Sequence, residues 1–105
     1  MIYYITQGSE YIKIGYTTNK PEKRLIGLQT GNPIELKLAL VTVGDKRHEY
    51  KLHSMFNDHH VRGEWFYLSK QIQQYMDERY TMDVRYMIDP AIIAIHSKVM
   101  ALRDG

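Results

Sequence analysis

The sequence contains no cysteine among its 105 residues. This absence excludes a disulfide framework and any metal site built on thiolates, and it fits a reducing cytosol. The apolar runs stop well short of the roughly 20 residues that a membrane-spanning helix needs, and no charged N-terminal segment leads into an apolar core with a cleavage site. We therefore expect a soluble, cytoplasmic protein.

An excess of charge of either sign is also lacking, because the formal net charge is only +2. This balance is weakly compatible with a nucleic-acid partner, and any basic surface has to be assembled by folding. The length suits one domain, which we expect over residues 1–80, followed by a C-terminal helical extension over residues 81–105. An apolar stripe over residues 90–102 would pack either on the domain or on a second copy of the chain, giving a homodimer.

Strand-like and helical segments follow one another along residues 1–80. Residues 2–6 are rich in β-branched and aromatic side chains, and residues 11–16 alternate, so the two predict a β-hairpin. A first helix is expected over residues 20–29, with Asn19 as its N-cap and Pro21 in its first turn. The remaining predicted elements are strands at 34–43 and 64–68, a second helix capped at Gly44-Asp45 and running to about 57, a polar loop over 57–63 and a third helix capped by Ser69.

Two cations are expected close together near the end of the hairpin. Lys13 lies between Ile12 and Ile14 in the alternating segment, so it should stand on the sheet face opposite the isoleucines. Gly15 lets the backbone bend there, and the first helix brings Arg24 round to the same neighbourhood. Two positive side chains on scaffold elements, with tyrosines on either side, are what a phosphate-handling site needs.

A carboxylate shares the core-facing side of the second helix. Glu49, Leu52, His53 and Phe56 fall at positions i, i+3, i+4 and i+7, which lie on one face. A buried carboxylate needs a partner, and either a metal ion or Arg24 would supply one.

Five segments, in order along the chain, together resemble a known family. They are Ile-Tyr-Tyr-Ile at 2–5, Lys-Ile-Gly-Tyr-Thr at 13–17, Lys-Arg-Leu at 23–25, Glu-Tyr-Lys-Leu-His at 49–53 and Gly-Glu-Trp-Phe at 63–66. The set resembles the GIY-YIG nuclease family, and more closely its phage- and prokaryote-associated branch with a Lys-Ile-Gly second motif. The resemblance covers roughly residues 1–70. It implies a small α/β (α+β) fold, a three-stranded antiparallel sheet flanked by helices, to which this chain would add a C-terminal helix.

The resemblance also implies a metal-dependent endonuclease that acts on DNA. Tyr3, Arg24 and Glu49 occupy the positions of the family's first-motif tyrosine, helix arginine and metal-binding glutamate. Lys13 stands where the second-motif tyrosine lies, and Met1 where the first-motif glycine lies.

These residue types suit phosphodiester hydrolysis. Glu49 is a hard oxygen ligand for Mg²⁺ or Mn²⁺, and Arg24 can fork two hydrogen bonds to a phosphate. Tyr3 and Lys13 would activate the attacking water. Tyr16 and His53 are expected as accessory residues that orient water or phosphate.

Two other functions stay open from the sequence. One is a nucleic-acid-binding module that keeps the fold without turnover, and the other is an interaction protein that acts through its C-terminal helix. Glu64 is expected to brace the fold rather than to bind metal. His59 and His60 are expected in a solvated loop with their rings pointing apart.

Overall fold

The computed structural model describes residues 1–83, with side chains described through residue 80. Its elements are β1 (Ile2–Gln7), β2 (Tyr11–Tyr16), α1 (Pro21–Gln29), β3 (Leu36–Thr42), α2 (Lys46–Met55), a 3₁₀ turn (Asn57–His59), β4 (His60–Arg62), β5 (Trp65–Tyr67) and α3 (Lys70–Asp83). The strands form an antiparallel sheet in the order β3-β1-β2-β5-β4. The predicted helix and dimer contact over residues 90–102 lie outside the described residues.

The α+β class is confirmed, but the sheet has five strands rather than the expected three. Strands β4 and β5 are each three residues long. β5 pairs with β2 and so attaches this second hairpin to the first. The segment 57–63, expected to be a loop, contains β4. All three β4 residues are exposed, and the strand is shorter than the run of about 4–8 residues over which alternation identifies a strand.

Helices cover both faces of the sheet, which explains why the first four residues of β1 are all buried. The first face, here called the α2/α3 face, packs against the two later helices. Its buried residues are Ile2, Tyr4, Ile12, Ile14, Leu40, Leu52, Phe56, Phe66, Ile72 and Met76. The opposite face, here called the α1 face, packs against the first helix through Leu25 and Leu28. Its buried residues are Tyr3, Ile5, Leu36, Leu38 and Val41.

The helix starts follow the predicted capping residues in two of three cases. Asp45 caps α2 by accepting hydrogen bonds from two backbone N–H groups of the first turn, and the Ser69 hydroxyl accepts one at 3.2 Å at the start of α3. The Asn19 cap is wrong: the N-cap of α1 is Lys20, which makes no capping hydrogen bond through its side chain. Pro21 opens this helix with its fixed φ, so a side-chain cap is not required there.

Residues 1–83 contain no helix that is long and apolar enough to cross a membrane.

Candidate functional site

The hydroxyl of Tyr3 lies at the centre of a polar cluster on the α1 face. The ring is buried within the sheet. The hydroxyl accepts a hydrogen bond from Arg24 Nε at 3.2 Å and donates one to Glu64 Oε1 at 3.0 Å. The guanidinium carbon of Arg24 is 6.0 Å from the centroid of the Tyr3 ring. A phenol from β1 therefore links a cation on α1 to a carboxylate in the turn between β4 and β5.

Gly15 provides the space that this hydroxyl occupies. It is the register partner of Tyr3 across β1 and β2. A Cβ placed on Gly15 would overlap the Tyr3 hydroxyl and would stand 2.8 Å from Glu64 Oε1. Glycine is required here because two side chains approach its backbone closely.

Lys13 binds the same carboxylate from β2. Its Nζ lies 3.4 Å from Glu64 Oε1, and its side chain is 11% exposed. The ammonium also lies 5.3 Å from the centroid of the Trp65 ring. The predicted sheet face is confirmed, because Lys13 points away from Ile12 and Ile14, but the cation is buried and paired rather than displayed.

Glu49 reaches the cluster from α2. Its carboxyl shares a hydrogen bond with the carboxyl of Glu64, and its side chain is 13% exposed. One turn later, His53 Nε2 donates to the carbonyl of Ile14 at 2.8 Å and lies 3.8 Å from Glu49 Oε1. His53 thus fixes α2 against the end of β2 and places Glu49 beside Glu64.

The two carboxyls have pKa shifts in opposite directions. Burial, with the hydrogen bond to Glu64 and its charge, raises the pKa of Glu49. Burial also tends to raise the pKa of Glu64. The charge of Lys13 and the hydrogen bonds from Tyr3, Glu49 and Lys13 outweigh burial and hold this pKa below its usual range. Glu64 therefore ionises at lower pH than Glu49, which keeps its proton to higher pH.

The Tyr3 hydroxyl is a neutral phenol at neutral pH. Burial raises its pKa, and the hydrogen bond from Arg24 offsets this only in part. Since a tyrosine already titrates near pH ~10, this phenol stays protonated at neutral pH. Its hydrogen bond in turn raises the pKa of Arg24, which stays a cation.

The donor set that a metal ion would meet is the pair of glutamates. Within residues 1–80, no group of three His, Cys, Asp or Glu side chains is close enough to hold a metal ion. Mg²⁺ keeps most of its waters and needs only one or two protein carboxylates. Burial and the neighbouring Glu64 raise the pKa of Glu49, and a cation bound between the two carboxyls would oppose that shift. The pair therefore fits a hydrated divalent cation.

Three of the remaining candidates lie elsewhere. Tyr16 packs against the core of the α2/α3 face, on the side of the sheet opposite Tyr3. His59 bonds to Gln71 Oε1 and His60 to the carbonyl of Gly63, each at 2.8 Å, so the two rings have different partners as expected. Among the predicted site residues, the structure therefore brings together Tyr3, Lys13, Arg24, Glu49 and His53, but not Tyr16.

Sequence reasoning missed the central position of Glu64. The carboxylate touches Tyr3, Lys13 and Glu49, whereas the sequence suggested only a brace for the fold. No local pattern in the sequence marks this position, because it depends on the pairing of β5 with β2, which makes Trp65 the register partner of Lys13. The backbone N–H of Ile14 then donates to the Glu64 carbonyl at 3.0 Å.

Comparison with known proteins assigns a family to the part of the chain that holds this cluster. The T5orf172 domain matches residues 1–80. This finding corrects the resemblance to GIY-YIG nucleases, since the matched family is a different one and no GIY-YIG match accompanies it. T5orf172 domains are nuclease-like, DNA-binding domains. No curated protein and no solved structure matches the chain.

Proposed function

Since this chain belongs to the T5orf172 domain family, whose domains are nuclease-like and DNA-binding, we propose that it is an endonuclease that hydrolyses DNA phosphodiester bonds with a divalent cation. One observation carries the proposal. The guanidinium of Arg24 and the carboxylate of Glu64 meet at the hydroxyl of Tyr3, and the carboxyl of Glu49 lies beside that of Glu64.

Arg24 is the group that binds the phosphate. The residue is exposed, and the nitrogen that bonds to Tyr3 is Nε. Its two terminal nitrogens take no part in that bond and can fork to the oxygens of a phosphate. Tyr3 acts as a positioning residue, because its hydroxyl fixes the guanidinium relative to Glu64.

Glu49 and Glu64 are the residues that hold Mg²⁺ or Mn²⁺. When bound, the cation supplies a Lewis acid and a water of lowered pKa. Glu64 offers an ionised carboxylate at neutral pH, because Lys13 and Tyr3 stabilise its charge. Lys13 also adds positive charge beside the phosphate, where negative charge builds up during hydrolysis.

The test is nicking of supercoiled plasmid with Mg²⁺ or Mn²⁺, repeated in EDTA. We expect cation-dependent nicking by the wild type, and a fall of about 100-fold or more in Arg24→Ala and Glu49→Gln. The matched control is Lys23→Ala, which removes an exposed cation from the neighbouring position on α1. Circular dichroism shows whether each variant is folded. The proposal fails if the wild type does not nick DNA, or if nicking survives both cluster substitutions.

A nucleic-acid-binding module without turnover is the second candidate. The ion pair between Lys13 and Glu64 favours it, because the lysine already neutralises a carboxylate that a cation would use. This candidate predicts salt-dependent DNA binding without cleavage in any divalent cation.

A further inference from the structure

Beyond the polar cluster, the α1 face of the sheet continues as an aromatic surface. Trp65 and Tyr67 alternate with Phe66 on β5, and Phe66 is buried in the core of the α2/α3 face, so the other two rings point to the α1 face. Tyr11 is the register partner of Tyr67. The centroids of these two rings are 5.8 Å apart and their planes are tilted by 32°. Trp65, Tyr67 and Tyr11 are here called the aromatic platform.

The platform is accessible from solvent. Tyr67 is 54% exposed, and Trp65 and Tyr11 are half-buried. Partial exposure of three neighbouring rings leaves a broad apolar area that the core does not use. Aromatic faces of this kind are the surfaces on which bases stack.

At the end of the platform next to the polar cluster, Arg62 supplies exposed positive charge, whereas Lys13 is paired with Glu64. Lys13 is the register partner of Trp65, and its ammonium lies 5.3 Å from the centroid of the tryptophan ring. Arg62, exposed on β4, is the partner of Trp65 on the other side. Along β5 the step from Trp65 to Tyr67 is about 7 Å, so the platform begins at the cluster and leads away from it.

We propose that the aromatic platform binds unpaired bases of single-stranded DNA next to the phosphate that the cluster holds. The inference rests on the function proposed above and names the substrate class of the same site. Bases in a duplex stack on one another and their faces are covered, whereas unpaired bases present theirs to a ring. Every base has such a face, so recognition is tolerant of sequence, and Arg62 beside Trp65 supplies an exposed positive charge for the DNA backbone.

Trp65 is the only tryptophan in the sequence, so tryptophan fluorescence reports on the aromatic platform. The experiment titrates the full chain in EDTA with an oligothymidylate of about 12 nucleotides while tryptophan emission is followed. EDTA separates binding from cleavage. We expect saturable quenching, with binding roughly 5- to 100-fold weaker in Tyr67→Ala and nearly unchanged in Tyr67→Phe, which keeps the ring.

The matched control is Tyr50→Ala, because Tyr50 is 76% exposed on α2, which packs on the other sheet face. This variant should bind like the wild type. The inference is overturned if the oligothymidylate does not quench Trp65, if Tyr67→Ala binds like the wild type, or if a duplex of the same length binds as tightly with the same dependence on Tyr67.

Parallel nicking assays separate this inference from the proposed function. Nicking by the wild type with no effect of Tyr67→Ala on oligothymidylate binding would reject the platform and leave the nuclease standing. Quenching that depends on Tyr67, without nicking in Mg²⁺ or Mn²⁺, would reject the proposed nuclease activity and support base binding by the platform.

Discussion

Tyr3 on the first strand donates a hydrogen bond of 3.0 Å to Glu64, which lies 61 residues later in the chain. The bond ties β1 to the turn between β4 and β5. Because Lys13 and Glu49 also bind this carboxylate, Glu64 is the common partner of groups from β1, β2 and α2. A change to any one of these groups should therefore alter the interactions of the others with Glu64.

Replacing Tyr3 by phenylalanine should lower both stability and activity. The substitution removes the hydroxyl that joins Arg24 to Glu64 and keeps the buried ring. Since both partners are charged, we expect the free energy of unfolding to fall by about 1–3 kcal/mol. Nicking should fall as well, because the guanidinium loses its fixed position. Urea denaturation and the plasmid assay measure the two effects.

The control for this substitution is the same change one residue later. The hydroxyl of Tyr4 is buried on the α2/α3 face, 3.3 Å from Thr42 Oγ1. Tyr4→Phe should lower stability without a matching loss of nicking. Equal losses of activity in the two variants would mean that Tyr3 acts only through stability, and its positioning role would be abandoned.

Replacing Gly15 by alanine should disturb the cluster from the backbone side. The new Cβ would overlap the Tyr3 hydroxyl, so either the ring or β2 has to shift. Overpacking of this kind costs about 1–3 kcal/mol, and we expect nicking to fall with the displaced hydroxyl. Urea unfolding measures the cost.

Gly27→Ala is the matched control, because Gly27 lies within α1 and a Cβ there meets nothing within 4 Å. This substitution should stabilise the protein by about 0.5–1 kcal/mol, since alanine favours the helix. If Gly15→Ala behaves like Gly27→Ala, the close approach at Gly15 is not a constraint.

Local patterns in the sequence were sufficient for much of the framework. Alternation placed Lys13 opposite Ile12 and Ile14, and helical spacing placed Glu49 on the inner side of α2. Capping chemistry located the start of α2 at Asp45. Each of these inferences depends on residues a few positions apart, where backbone geometry alone fixes the faces.

The features that local patterns could not give depend on distant pairing. Alternation gives the face on which Lys13 lies but not its burial, which comes from Trp65 and Glu64 packing beside it. Glu64 joins the cluster only because β5 pairs with β2, a contact between segments about 50 residues apart. The exposed strand β4 has only three residues, which is too short for alternation to identify it.

Glu49→Gln should change how stability depends on pH. The pKa of Glu49 is raised in the folded protein. The stability that this shift contributes is therefore fully present below the ordinary glutamate pKa of about 4.3 and is lost as pH rises through the folded pKa. Glutamine does not titrate. The free energy of unfolding of Glu49→Gln, relative to the wild type, should therefore increase as pH rises above about 4.3. Urea unfolding across this pH range measures the difference.

The opposite shift of Glu64 acts in another pH window. Its pKa is lowered, so its contribution to stability is present above the ordinary glutamate pKa and is lost as pH falls through the folded pKa.

The control for Glu49→Gln is Glu35→Gln, which also removes one negative charge, because Glu35 is exposed and outside the cluster. A difference between Glu49→Gln and wild type that stays flat with pH would show that Glu49 does not share its proton with Glu64.

Lys13 and Glu64 should be energetically coupled. Lys13→Met leaves the carboxylate without its nearest cation, and Glu64→Gln leaves a nearly buried ammonium without a counter-charge. Because the pair is partly exposed, we expect each substitution to cost about 1–3 kcal/mol, below the roughly 3–5 kcal/mol of a fully buried pair. The double variant should be less destabilised than the sum by about 0.5–3 kcal/mol. Urea denaturation of the four proteins measures this coupling, and additivity within about 0.5 kcal/mol would show that the ion pair does not stabilise the fold.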